Sequence, residues 1–433
     1  MRFYIETFGC QMNEHDSEKM SHLLRINGFT PVQEARDADI VIVNTCSVRE
    51  KAEQKFYSLI GRLKKLKDKK GTIIGVTGCI AQQEKEMLKE RLPFIDFAMG
   101  PSGIHTVMDA ITRSREGSFF YDFSDNGCVA PLFLRPEPAQ DSIKAYVTIM
   151  KGCNNFCSYC IVPYVRGREA SRDSHDILEE IKGLAEKGIK EVILLGQNVN
   201  SYNKGKNDLS FPALLEKINS VDGIERIRFV TSHPKDLSHE LIECFGRLDK
   251  LCEQIHLPFQ SGSDKILKLM NRGYSISEYV EKIDKLRRVQ SDIAITADCI
   301  VGFPGEDEEA FRDTIELVKK VEFDGIFSFA YSKRKNTQAA TLDNEVPRDV
   351  ALKRLGYLQA IQKGITLKKN QATEGRVFDV LVEGRSKNSQ DELTGRTRHN
   401  RIVNFKGDTD MIGRIVQVKV IKGYANSLKG EVL

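Results

Sequence analysis

Chemistry in this chain starts at Cys153, Cys157 and Cys160, spaced C-x-x-x-C-x-x-C in Lys151-Gly-Cys-Asn-Asn-Phe-Cys-Ser-Tyr-Cys160. Three thiolates in so short a run can each hold one iron of a cubane cluster, which leaves the fourth iron without a local protein ligand. An open iron is what a cofactor needs to bind the metal directly. Zinc is the rival reading, since C-x-x-C pairs are common in zinc sites. A structural zinc, however, closes its shell with four ligands, and no His or fourth Cys follows at finger spacing. Core burial of all three cysteines is the bland alternative.

A second trio is dispersed. Cys10, Cys46 and Cys79 are introduced alike, in Thr7-Phe-Gly-Cys10, Thr45-Cys46 and Thr77-Gly-Cys79. Each stands just past a run that reads as a buried strand: Phe3–Phe8, Asp39–Asn44 and Thr72–Thr77. The intervening segments carry helical spacing, so the pattern predicts a parallel sheet with helical crossovers. Ligands of open α/β sheets gather at the carboxyl ends of the strands, and three cysteines there would converge on one mouth. Free cysteines are often simply buried, but three at equivalent positions favour a second three-cysteine cluster.

The elements that must position these residues divide the chain. Residues 1–115 form an open α/β domain and 116–142 a Pro-containing linker. Over 143–370, strand and helix signals alternate in about six units, too few for a closed eight-stranded barrel, so a partial (β/α)6 barrel is expected, with its chemistry at the C-terminal strand ends. From 371 to 433 period-two strands without helices predict a small antiparallel β-barrel. At 433 residues, 40% hydrophobic and 29% charged, the chain reads as several globular domains. It has no span-length apolar run and no secretory leader, which points to the cytoplasm and away from membranes. There the ten cysteines are expected as thiols or ligands.

Strand ends of the central barrel carry groups suited to an adenosine-bearing amino acid. Gly196, Gln197 and Asn198 offer close backbone approach and amides, Gln260 and Ser261 offer hydrogen bonds, and the Asp298–Gly305 run, with Val301 and Gly302, offers an apolar wall. Arg166, Arg168 and Arg172 follow the cysteine loop and suit phosphates or a carboxylate. His233 reads as a satisfied strand-end side chain, Cys244, Cys252 and Cys299 as core, and Cys128 as having no chemical role. The run Lys64–Lys70 reads as a solvated helix end. Net charge is only +4, so nucleic-acid contact needs a local patch. The tail supplies one in Arg385, Lys387, Arg396, Arg398, His399, Arg401 and Lys406, matched to backbone phosphates.

With both trios and the basic β-tail in one order, the whole chain resembles the radical S-adenosylmethionine (SAM) methylthiotransferases, whose tail is the TRAM domain. Asn44-Thr-Cys-Ser-Val-Arg-Glu50 and Gly395–Asn404 look like its MiaB branch, which acts on isopentenyladenosine in tRNA. The loop Tyr331–Gln338 departs from the Pro- and Gly-rich version common in the family. The resemblance implies two 4Fe-4S clusters: a SAM-binding one on Cys153, Cys157 and Cys160, and an auxiliary one on Cys10, Cys46 and Cys79. It implies SAM contacts at Tyr159, Gly196, Gln197, Asn198, Gln260, Ser261, Val301 and Gly302. RNA contacts are expected from Arg166, Arg168, Arg396, Arg398 and Arg401. The resemblance further implies that two SAM molecules are used per turnover. One is cleaved to a radical that takes hydrogen from carbon 2 of the adenine, and the other methylates the sulfur carried by the auxiliary cluster. The implied partners are a tRNA anticodon stem-loop carrying isopentenyladenosine, an electron donor such as flavodoxin or ferredoxin, and a sulfur or cluster-repair donor. The first domain and the tail are expected to close over the barrel mouth when tRNA binds. The alternatives are methylthiolation of threonylcarbamoyladenosine or of a ribosomal-protein aspartate and, from another class, a non-catalytic iron–sulfur tRNA-binding redox sensor.

Overall fold

The structure is a computed structural model and describes the chain apart from residues 48–49, 125–128, 140, 206, 388 and 390 and the side chains of 50–52. Cys128 and part of the Ser47–Glu50 signature lie outside the described residues. The first domain is built on six strands, β1 (Arg2–Thr7), β2 (Thr30–Pro31), β3 (Ile40–Thr45), β4 (Ile73–Gly78), β5 (Phe97–Met99) and β6 (Phe120–Asp122), in the order β2-β1-β3-β4-β5-β6. All pairs are parallel. β3 and β4 are buried along their whole length, as continuous runs of Ile and Val require when helices cover both faces. The sheet continues past residue 115, because β6 comes from the stretch expected to be linker. Pro131 and Leu132 in that stretch are also buried, and the Lys19 ammonium donates to the Pro131 carbonyl at 2.9 Å.

The central domain curves through β7 (Lys144–Thr148), β10 (Glu191–Leu195), β11 (Arg226–Phe229), β12 (Gln254–His256), β13 (Ala294–Val301) and β14 (Gly325–Ala330). Parallel pairing joins β7, β10 and β11 on one side and β12, β13 and β14 on the other. A single parallel bridge, Ile227 to Leu251, connects the halves. Among the described residues β7 and β14 do not pair with each other, so this is an open arc of six strands. Between β7 and β10 a short antiparallel pair, β8 (Met150–Lys151) with β9 (Ala170–Ser171), pinches off the cysteine loop.

The tail closes as a five-stranded barrel of β15 (Val377–Arg385), β16 (Glu392–Thr397), β17 (Ile402–Lys406), β18 (Ile415–Gly423) and β19 (Leu428–Val432). It is not wholly antiparallel, because β17 and β19 run parallel. Its docking on the central domain rests on a set of arginines. Arg226 donates to the carbonyls of Arg396 and Asp379, and Arg228 to those of Thr397 and Arg398. Arg398 grips Glu253, Arg401 pairs with Asp324 at 2.8 Å, and Arg376 pairs with Asp292 at 2.9 Å. Arg226 opens β11 with Arg228 two residues on, and Glu253, Asp292 and Asp324 stand just before β12, β13 and β14. The tail therefore floors the arc at its N-terminal ends, about a strand's length, roughly 15 Å, from the C-terminal mouth.

Candidate functional site

The dispersed trio is assembled by sheet order. β1, β3 and β4 are neighbours, so Cys10, Cys46 and Cys79 leave adjacent strand ends. Two glycines let the three loops close together. At Gly9 (φ +131°) a Cβ would stand 2.5 Å from Cys46 Cβ, and at Gly78 (φ +92°) it would stand 2.4 Å from the Thr45 carbonyl. Both dihedrals also lie where side chains are strained. Side chains then tie the loops together. Asn13 Nδ2 donates to the carbonyls of Phe8 and Thr45, Asn44 Nδ2 donates to the Asn13 carbonyl and Ser17 Oγ, and Thr45 Oγ1 donates to the Thr77 carbonyl.

Cys10 is poised as a thiolate. Donation from the Cys46 thiol, aided by the charge of Arg166, brings its pKa down to about 6 against the opposing effect of burial. Burial pushes Cys79 up. Asn44 Oδ1, Ser47 Oγ and Thr77 Oγ1 are buried here without a hydrogen-bond partner among protein atoms, an unusual concentration for a finished interior. A glycine-lined cradle, three thiols and unpaired polar atoms fit a thiolate-held inorganic cluster. Among the described residues no three His, Cys, Asp or Glu side chains are close enough to share one metal ion.

The compact trio sits in the loop closed by β8 and β9. Gly152 (φ +73°) has the Arg168 carbonyl 2.1 Å from where a Cβ would be, and Cys153 N donates to the Gly167 carbonyl. The far side of the loop is held by residues after the helix Asp264–Leu269. Ser158 N donates to the Met270 carbonyl, and Asn271 Nδ2 donates to the carbonyls of Asn155 and Phe156. Arg272, buried, reaches Cys157 Sγ and Tyr159 OH at 3.4 Å each and donates to the Pro258 carbonyl at 2.7 Å. Burial raises the Cys153 thiol and pushes Cys160 up to about 12, which the charge of Arg272 opposes, so Arg272 is the cation that favours thiolate here. His233 Nε2 lies 3.8 Å from Cys157 Sγ. Burial, then the charge of Arg272, hold it neutral, with a pKa of about 2. Arg272 was not singled out from sequence. Its only local signal is Asn271-Arg-Gly-Tyr274 after a short helix.

The other expected cofactor residues divide. Gln197 accepts from Gly152 N, bracing the cysteine loop, and a Cβ on Gly196 would meet Met150 at 2.5 Å. Asn198 donates to Asp236 at 2.7 Å yet leaves its Oδ1 unpaired, as do buried Ser232 Oγ and Gln260 Oε1. Gln260 adopts φ +67°, and Ser261 is buried. Tyr159 packs edge-on to Phe303. These groups ring the strand ends beside the loop and suit a polar ligand there. Val301 is buried on the helix side, and Gly302 packs against Ala351 while its N–H donates to Glu306. Both therefore serve the scaffold.

The two trios meet. Cys79 packs against Ile161 and Val165, directly after Cys160. Arg166, expected at the RNA surface, is instead buried at this junction, where it donates to Asn13 Oδ1 and Asp16 Oδ2 at 2.8 Å each. Arg398 and Arg401, also expected on RNA, are spent on docking the tail, and Arg396 bonds Asn400 and Glu383. Of the five arginines only Arg168 is exposed, and it stacks 5.2 Å over the Phe156 ring.

Residues 2–100 match the Uncharacterized protein family UPF0004, 147–318 the Radical SAM superfamily and 371–433 the TRAM domain. A solved radical SAM methyltransferase, TsrM from Kitasatospora setae, shares the fold with a TM-score of 0.61 at 13% identity, over 78% of this chain and 74% of its own. The cobalamin-dependent radical enzyme OxsB, with aqua-cobalamin bound, aligns with a TM-score of 0.50 at 12% identity, over 83% of this chain and 56% of its own. Fold and site thus define a radical SAM enzyme, a class that carries a 4Fe-4S cluster and SAM. A protein of Syntrophus aciditrophicus called tRNA-2-methylthio-N(6)-dimethylallyladenosine synthase is 51% identical over 99% of this chain and 94% of its own length. One of the same name from Clostridium botulinum (strain Okra / Type B1) is 48% identical over 99% and 96%. The chain belongs to the tRNA-2-methylthio-N(6)-dimethylallyladenosine synthase family.

Proposed function

We propose that the chain is a tRNA methylthiotransferase that installs a methylthio group at carbon 2 of N(6)-isopentenyladenosine beside the anticodon. The observation that carries this reading is the junction itself, where Cys79, from one domain, packs on Ile161, next to Cys160 of the other. Such contact suits a reaction in which one centre removes hydrogen and the other delivers sulfur to the same carbon. When bound, the SAM-bearing cluster supplies a radical able to take hydrogen from an unactivated C–H bond, which no side-chain base removes at neutral pH.

The protein's share is holding, orienting and excluding water. Cys153, Cys157 and Cys160 would hold the first cluster, Gln197 and the segment Met270–Arg272 fix their loop, and Asn198, Ser232 and Gln260 offer unpaired oxygens for SAM. Cys10, Cys46 and Cys79 hold a second 4Fe-4S cluster that carries the sulfur. Arg166 and Asp16 lock the two domains in register between the sites. The tail seals the arc from below, where water would otherwise reach the radical. Arg168, stacked on Phe156 at the mouth, is the arginine free to meet RNA phosphate. Two SAM molecules are needed per product, one for the radical and one for the methyl group. A small reductant such as flavodoxin or ferredoxin supplies electrons, and a separate donor renews the sulfur. With tRNA as substrate, the work belongs in the cytoplasm.

The test is nucleoside analysis of tRNA from a strain lacking the gene. Loss of 2-methylthio-isopentenyladenosine with accumulation of isopentenyladenosine is expected. Loss of the methylthio group from a different nucleoside, or from none, overturns the reading.

A further inference from the structure

The histidine beyond the end of β11 faces a thiol of the compact trio, and its surroundings fix both its direction and its tautomer. After β11 the chain turns through Thr231, at φ +71°, into His233 and Pro234. The His233 N–H donates to Asn200 Oδ1 at 3.0 Å, and its carbonyl accepts from Asn200 Nδ2 at 2.9 Å. This two-way clamp sets the backbone from which the ring projects. The ring is buried and lies edge-on to Tyr274, with 5.8 Å between centroids. Its Nδ1 accepts from Lys235 N at 3.2 Å and so caps the turn that follows.

That cap settles where the ring proton is. A neutral imidazole has one N–H and one bare nitrogen. Nδ1 is the acceptor, so the proton sits on Nε2, the atom 3.8 Å from Cys157 Sγ. Arg272 donates to the same sulfur at 3.4 Å. The other two thiols are met locally, Cys153 by Asn155 and Cys160 by the backbone of Val162. Cys157 is therefore the thiol whose donors arrive from two distant segments of the barrel.

We propose that His233 is a positioning residue for the electron-transfer step: its Nε2–H donates to the Cys157 thiolate, drains negative charge from that sulfur and raises the potential of the cluster held there. Hydrogen bonds to the ligating sulfurs are among the features that set the potential of an iron–sulfur cluster, and the bond made by the second ring nitrogen is what keeps an imidazole oriented. Reduction brings one electron from the one-electron carrier into the cluster, no bond to carbon or sulfur is made or broken, and the proton stays on Nε2. Asn200 and Lys235 N serve by holding the ring. A histidine kept for packing or for capping alone would have no need to aim its N–H at sulfur. The assignment rests on the reading that the compact trio holds a 4Fe-4S cluster.

The experiment is a redox titration of the full, anaerobically prepared chain, followed by electron paramagnetic resonance, with the dispersed site as internal reference. Two variants separate the two ring nitrogens. His233→Asn can accept from Lys235 N but does not reach the sulfur. His233→Gln places an amide N–H near the position of Nε2. The Asn variant is expected to make reduction of the compact site harder by on the order of tenfold, about 59 mV for one electron. The Gln variant is expected to recover most of that shift, and the dispersed site is expected not to move in either. In the native chain transferred to deuterium oxide, electron–nuclear double resonance is expected to show an exchangeable proton coupled to the reduced compact cluster that the Asn variant lacks. Iron content and melting temperature check that both variants fold. An Asn variant with the native potential, or Asn and Gln variants that shift alike, overturns the proposal and leaves His233 as a cap. A native chain that binds no iron at the compact trio overturns the parent reading, whereas iron bound there with a potential unmoved by either variant overturns only the role of His233.

Discussion

The two cysteine trios solve one problem by opposite means. Cys153, Cys157 and Cys160 are brought together by chain proximity, inside a loop pinched by β8 and β9 and clamped from outside by Arg272. Cys10, Cys46 and Cys79 are brought together by topology, through three neighbouring strand ends whose loops fit only because Gly9 and Gly78 have no side chain. Their electrostatics differ as well. Donation within the dispersed trio brings Cys10 down to about 6, whereas in the compact trio burial raises Cys160 to about 12 and leaves Arg272 as the nearby cation. A local motif can be transplanted whole into a fold, but a dispersed one exists only where the sheet is already correct.

The sharpest way to break the comparison is to empty each site separately. Changing Cys153, Cys157 and Cys160 together to Ala is expected to abolish SAM cleavage. Changing Cys10, Cys46 and Cys79 together is expected to leave SAM cleavage, lower iron from about eight to about four per chain and abolish methylthiolation. Iron analysis with measurement of 5′-deoxyadenosine checks both, and loss of all iron in the second variant would show that the sites are not independent. The next effect is the glycine asymmetry. Gly78→Ala places a methyl group 2.4 Å from the Thr45 carbonyl at a dihedral that disfavours side chains. It should cost about 1–3 kcal/mol and reduce iron at the dispersed site alone. Thermal unfolding with iron content reads both, and equal losses at the two sites would contradict the assignment.

This contrast also explains what was legible in the sequence. The compact trio needed only spacing, and the dispersed one only the observation that each cysteine follows a buried apolar run, so six strands of the arc and the three long strands of the first sheet could be anticipated. The arginines were another matter. Arg166, Arg398 and Arg401 looked like phosphate ligands because charge in a loop is normally solvent-facing. Their partners Asp16, Glu253 and Asp324 lie far away in sequence, and pairing with them turned these side chains inward. The short strands β2, β5 and β6 carry too few residues to show a period, and β6 falls in the stretch that reads as linker. The tail's position beneath the arc depended on carbonyls of Asp379 and Arg396–Arg398 meeting Arg226 and Arg228, a match that no residue pattern advertises.

Docking of the tail is a smaller effect than either cluster and separates assembly from chemistry. Arg398→Ala removes a two-pronged grip on Glu253 and two bonds to backbone carbonyls, leaving Glu253 half-buried beside unpaired carbonyls. A cost of about 1–3 kcal/mol is expected, seen as faster proteolysis between helix Arg348–Gln371 and β15. SAM cleavage without RNA is retained, because the mouth is at the other end of the arc. Cleavage lost in step with docking would mean that the floor governs the mouth.

The subtlest test bears on Arg272. Its guanidinium lies 3.4 Å from Cys157 Sγ, so it stabilises added negative charge on whatever that thiolate binds. A unit charge about 7 Å from a cluster centre, at an effective dielectric constant between about 20 and 40, contributes roughly 1–2 kcal/mol, or about 50–100 mV for one electron. Arg272→Met should therefore shift the midpoint potential of the compact site to more negative values by that amount, followed by redox titration with electron paramagnetic resonance. It should leave the potential of the dispersed site unmoved, since Arg166 serves there. Arg272→Lys, which keeps the charge but not the planar fork that spans Cys157, Tyr159 and Pro258, should restore much of the potential without restoring the order of the loop. If Met and Lys shift the potential alike, the residue acts by holding the loop and not by its charge.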